Sequence, residues 1–120
     1  MPLLRRLALS LAVLAASPTS QAGGHAFAEP TPQGISPSRA RTLAHLVRHD
    51  CGSCHGLTLR GGLGPPLTPD ALSGKPVSYL KAVILDGRPG SAMPHWRPLL
   101  AESDAQWIAE ALLRGVPDAQ

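Results

Sequence analysis

Aromatic side chains are almost missing from this 120-residue chain, which holds one Phe, one Tyr and two Trp, and charged residues make up only 16% of it. A chain this short has room for one domain, and so few large rings allow only a small core. Packing alone then leaves about 3–5 kcal/mol once chain entropy is subtracted, so a disulfide, a metal or a cofactor has to contribute. Cysteine is equally scarce. Cys51 and Cys54 are the only two, which excludes a disulfide-dense scaffold and a four-cysteine zinc site. Long apolar runs are also lacking. The one at Leu7–Ala16 falls well short of the roughly 20 residues that span a bilayer. Neither sign of charge dominates: 11 basic and 8 acidic residues give a net charge of +3, which drops to +1 when Arg5 and Arg6 are set aside. This balance gives no support to a nucleic-acid-binding function.

What is present begins with a leader. Arg5 and Arg6, the run Leu7–Ala16 and the small-x-small triplet Ser20-Gln21-Ala22 have the three parts of a secretory signal peptide over residues 1–22. Export places the remainder in the periplasm with no membrane anchor. Residues 23–36, rich in Gly, Pro, Ser, Thr and Ala, read as a flexible arm. The domain proper is expected over residues 37–115, with a short tail at 116–120.

Within the domain the pattern is all-α, with neither repeats nor alternating strand periodicity. Ser36-Pro37 has the form of an N-cap followed by a first-turn proline, and Ala40, Leu43, Leu46 and Val47 recur at helical spacing up to the cysteines. Gly56–Pro69 is a Gly/Pro loop. A second helix is predicted from Pro76 to Asp86 on the stripe Val77, Leu80, Val83 and Ile84, with Gly87 as its stop. Another punctuated loop, Gly87–Pro98, follows. The last helix is predicted to start at Ser103, capped in a box with Gln106, and to end at Gly115 with Pro117 beyond. Its buried stripe is Trp107, Ile108, Ala111 and Leu112. Three short helices and two Gly/Pro loops make sense as a wrapping around a cofactor.

Cys51-Gly52-Ser53-Cys54-His55 names that cofactor. C-x-x-C-H is the attachment signature of c-type haem: each thiol adds across a vinyl group, and the histidine that follows supplies the proximal iron ligand. A structural disulfide would need no His55. Zinc would need more ligands, and a thioredoxin-like redox pair expects a βαβ setting.

The sixth ligand separates a carrier from a catalyst. Met93, in Gly-Ser-Ala-Met-Pro, is the candidate, standing among Gly and Pro rather than on an apolar stripe. His95 is its rival and would give a lower-potential haem with two histidines. His45 and His49 read as surface residues of the first helix, and His25 belongs to the arm.

The order helix, C-x-x-C-H, Gly-Pro loop, helix, Met-Pro loop, helix over residues 37–115 resembles the class I cytochromes c. More narrowly, D-C-G-S-C-H-G-L-T-L-R-G-G-L-G-P-P-L-T-P with G-R-P-G-S-A-M-P-H-W-R-P-L-L resembles the NirC-type periplasmic cytochromes found with cytochrome cd nitrite reductase. The resemblance implies one covalent haem c and a monomer that carries single electrons between an upstream donor and nitrite reductase, without bond chemistry of its own. The other role it implies is assistance in maturing the reductase's special haem. It also implies residue roles: the Pro65 carbonyl accepting from the proximal histidine, Leu67 on the haem face, and Trp96 and Arg97, with Arg60 a further possibility, at the propionates.

Overall fold

The computed structural model describes residues 34–117; the leader and most of the arm lie outside them. Among the described residues the only regular structure is helical. The chain enters at Ser36, whose side chain accepts from the Arg39 N–H and caps α1, Pro37–Leu46. One π-helical turn, Val47–Cys51, carries α1 directly into α2, Gly52–His55. Both cysteines and His55 are therefore presented by one continuous helical segment. It ends at Gly56, whose φ of +86° only glycine adopts without strain.

Two elements were not anticipated in the sequence. Thr68 caps a single turn, α3, Pro69–Leu72, which buries Leu72. The π-helical turn is the other. Helix α4, Val77–Asp86, starts after Pro76 and stops at Gly87, and it buries Leu85 as well as Leu80 and Ile84.

The last helix, α5, Glu102–Arg114, differs from expectation at its start. Ser103 lies inside the first turn, and Ala101 occupies the N-cap position. Ala101 has no side-chain acceptor, so the work falls to Asp104, whose Oδ2 accepts from the Ala101 N–H at 3.0 Å. Gln106 has no part in the cap; its Nε2 donates to Glu110 Oε1 instead.

Helix α5 is the organising element, packing against α4, α3 and α1. Trp107, Ile108, Ala111 and Leu112 are buried together with Leu43 and Val47 of the first helical segment. Each large apolar side chain so buried contributes about 1.5–3 kcal/mol. Ile35, placed in the arm on composition, is buried in the same core. Arg39 crosses from α1 to α5, with Nε donating to Asp104 Oδ1 at 3.0 Å and Nη2 to Oδ2 at 2.7 Å. Asp104 is buried, and this paired hydrogen bond holds its carboxyl below the usual carboxylate range. No helix among the described residues is long and apolar enough to cross a membrane.

Candidate functional site

The C-x-x-C-H segment sits at the end of a helix, where the last carbonyls have no partner inside the helix. The following loop supplies those partners. Gly64 N–H donates to the Cys54 carbonyl and Gly61 N–H to the His55 carbonyl, both at 2.8 Å. The loop closes on itself through Leu67 N–H donating to the Leu59 carbonyl, also at 2.8 Å. Leu59 takes a φ of +59°, an unusual conformation for a leucine that costs roughly 1–2 kcal/mol, and its burial offsets the strain.

Glycine makes this close wrapping possible. A Cβ on Gly62 would stand 2.7 Å from the Cys54 carbonyl oxygen, and one on Gly64 would stand 2.8 Å from both Cε1 and Nδ1 of His55. Bare backbone is thus laid against the imidazole edge. His55 is buried, and its Nδ1 lies 2.6 Å from the Pro65 carbonyl oxygen. A carbonyl only accepts, so Nδ1 carries the proton and Nε2 of the neutral ring keeps its lone pair. Cys51 is half-buried and Cys54 exposed, and the two thiols are not bridged. Burial, reinforced by the neighbouring Asp50 carboxylate, pushes the Cys51 thiol up to about 11, so it stays protonated at neutral pH.

These features fit a c-type haem. Two free thiols at the attachment spacing, an adjacent imidazole with its metal-binding nitrogen specified, and a glycine-lined cradle holding that ring form the donor set the cofactor needs. The structure brings Cys51, Cys54, His55 and Pro65 together. Leu67 and Trp96 are half-buried and packed against the core.

Met93 stands apart, on the loop after α4. That loop is held at both ends by α4. A Cβ on Gly87, whose φ is +69°, would come within 2.8 Å of the Met93 carbonyl oxygen. At the other end, Trp96 N–H donates to the Ile84 and Leu85 carbonyls at 3.2 and 3.1 Å, and Arg97 N–H to the Leu85 carbonyl at 3.2 Å. Met93 is half-buried, whereas His95 is exposed and close enough to Asp86 for its charge to favour that carboxylate.

Arg97, which the resemblance places at the propionates, has carboxylate partners within the chain itself. Its guanidinium is held by Asp86, Nε to Oδ1 and Nη2 to Oδ2 at 3.1 Å, and lies 3.6 Å from Glu102. These two carboxylates lie at the end of α4 and the start of α5. Arg60 is exposed in the first loop, and His45 and His49 form an exposed stack with ring centroids 4.1 Å apart. Gly64, Leu59 and Asp86 were not singled out as site residues from the sequence, and Gly87 was read only as a helix stop. The Gly64-Pro65 dipeptide, nine and ten residues after His55, is the one local signal that points to the first of them.

The chain matches the family described as cytochrome C oxidase, cbb3-type, subunit III, over residues 38–110. It is 54% identical over 109 residues to cytochrome c55X of Paracoccus denitrificans, covering 91% of this chain and 94% of that protein. Among solved structures, the c-type cytochrome NirC is 52% identical with a TM-score of 0.66, over 68% of this chain and 95% of that one. Dihydro-heme d1 dehydrogenase of Pseudomonas aeruginosa is 35% identical over 72 residues, which span 60% of this chain and 15% of that larger protein.

Proposed function

We propose, from the premise that this chain belongs to the class I cytochromes c of the NirC type and carries haem c, that it is a monomeric periplasmic one-electron carrier delivering electrons to nitrite reductase. The observation that carries this reading is the clamp on His55: Nδ1 held by the Pro65 carbonyl at 2.6 Å, on the residue that directly follows the two thiols. Such a clamp fixes ring orientation and tautomer, and it makes the remaining nitrogen a better ligand.

When bound, the haem supplies the one-electron change at its iron. The chain's residues do the rest. Cys51 and Cys54 tether the cofactor through their sulfurs, and His55 presents Nε2 to the metal. Met93 would offer its thioether from the loop after α4, and such ligation would set a higher potential than a second histidine does. The half-burial of Met93 beside an exposed His95 supports this choice. Pro65 orients the histidine, while Leu67 and Trp96 shield the haem. The partner is met through a small, weak interface that suits rapid exchange.

A second reading, assistance in maturing the reductase's special haem, is favoured by the similarity to dihydro-heme d1 dehydrogenase. Turnover of nitrite by purified reductase with this haem-loaded cytochrome as sole donor separates the two. Sustained turnover supports the carrier. Its absence, with normal reduction of the cytochrome itself, transfers the case to maturation.

A further inference from the structure

The loop bearing Met93 has no hydrogen-bonded frame of its own comparable to the one around His55. Between Gly87 and Trp96 there is one small turn, Ser91 N–H to the Arg88 carbonyl at 3.0 Å with Ser91 Oγ donating to that carbonyl at 2.8 Å and accepting from Met93 N–H at 3.3 Å, and a long contact from Arg88 N–H to the Met93 carbonyl at 3.5 Å. What fixes the loop in place is its return strand, where Trp96 and Arg97 complete the open carbonyl end of α4. At that same point the Arg97 side chain spans two elements. It takes Asp86 of α4 in a two-pronged grip and approaches Glu102 of α5, and Glu102 is itself paired with Lys81 at 2.9 Å. Arg97 thus joins the methionine loop to both helices by polar contacts, through backbone to α4 and through side chain to α4 and α5.

We infer that Arg97, gripped by Asp86, is a positioning residue that keeps the Met93 loop closed and thereby sets how often the sixth position of the iron opens. The inference rests on Met93 being the iron ligand, as proposed above. Removing the guanidinium leaves the α4 carbonyls bonded to the loop backbone but loosens the loop's attachment to α5. The loop then opens more often, and an external ligand that needs the sixth position binds more tightly, because apparent affinity rises with the fraction of competent, open molecules. Arg97 and Asp86 are each about half exposed, at 51% and 54% of the side chain. An exposed pair of this kind is worth little, so the effect is modest, about two- to fivefold. High salt should reproduce part of it in the unmodified protein.

The test uses the full, haem-loaded protein and imidazole as the external ligand. Affinity for the oxidised form is measured beside the red-end absorption band of methionine-bound ferric haem and the denaturant midpoint, in Arg97→Ala, Arg97→Lys, Asp86→Asn, Lys81→Ala and Met93→Ala. The expected result is about two- to fivefold tighter imidazole binding in Arg97→Ala and Asp86→Asn, with partial recovery in Arg97→Lys. Lys81→Ala breaks an α4–α5 ion pair and leaves Glu102 to Arg97 alone, so it should bind imidazole no more tightly than the unmodified protein does. Equal changes in Lys81→Ala and Arg97→Ala would show general loosening of the helix pair and overturn the inference, as would unchanged affinity in both Arg97 variants. Survival of the red-end band in Met93→Ala is a different failure, because it removes Met93 as the ligand and leaves the clasp with nothing to position.

Discussion

Residues 56–67 and residues 87–97 are both short, irregular stretches rich in Gly and Pro, yet they are held by different physics. The first is stitched to the end of its own helix. Its N–H groups satisfy the Cys54 and His55 carbonyls, its glycines lie within contact of the ring and backbone they cover, and a carbonyl fixes the imidazole tautomer. The second borrows its order from neighbours, through the carbonyl end of α4 and an exposed guanidinium between two carboxylates. A stretch held by many short-range backbone bonds opens only with its helix, whereas one held at its ends by another element opens as a local unit. The proposed division of labour follows: a permanent proximal side and a yielding distal side.

The sharpest way to break this comparison is to remove one ligand from each side. Cys54→Ser or His55→Ala should abolish stable covalent haem, read as loss of haem staining on denaturing gels. Met93→Ala should retain full staining and lose only the red-end absorption band. Equal loss of haem in both cases would mean that the two sides are not distinct.

Glycine substitutions give the next largest contrast. Gly64→Ala forces a Cβ to within 2.8 Å of the buried His55 ring and is expected to cost about 1–3 kcal/mol in the denaturant midpoint of the haem-loaded protein. Gly90→Ala, in the methionine loop, meets nothing within 4 Å but sits at a φ of +77°. It should cost about 1 kcal/mol, from backbone strain alone.

An effect of similar size, but without spectroscopic consequence, is expected from the pairing that sets α1 on α5 and so supports the attachment side. Arg39→Ala leaves the buried Asp104 with only the Ala101 N–H and should destabilise by about 1–3 kcal/mol, without altering the red-end band. The pH dependence has a definite sign. Arg39 lowers the Asp104 carboxyl from its ordinary value of 3.8, so the stabilisation is complete above that value and fades as pH falls through the lower folded one. The gap between unmodified protein and Arg39→Ala in acid denaturation should therefore narrow below about pH 4.

Much of this was legible in the chain itself because the signals are local. The apolar stripe of α5, the Ser36-Pro37 start of α1 and the Gly87 stop of α4 each depend on residues within a turn or two, and each stands where the periodicity puts it. The start of α5 did not, because Ser103 was read as a cap on side-chain chemistry alone. Asp104, fixed from across the molecule by Arg39, supplies the acceptor three residues into the helix, and no window around Ser103 contains Arg39. The partners of Arg97 were hidden for a similar reason. An arginine next to a tryptophan after a candidate iron ligand suggests carboxylates on the cofactor; that Asp86 and Glu102 also lie against it is decided by the packing of α4 on α5.

By itself the sequence determined the kind of cofactor, since thiols two residues apart with a histidine following are a covalent matter of spacing and donor type. It also determined that the domain is helical and that its loops must run close to something, because glycine and proline forbid regular structure there. Only the tertiary structure decided that the His55 proton sits on Nδ1, that Gly64 must lack a side chain, and that Arg97 clasps the methionine loop to α4 and α5. Those outcomes depend on which backbone and which charges are brought together by packing across tens of residues, where hydrogen bonds and ion pairs are chosen by proximity rather than by order along the chain.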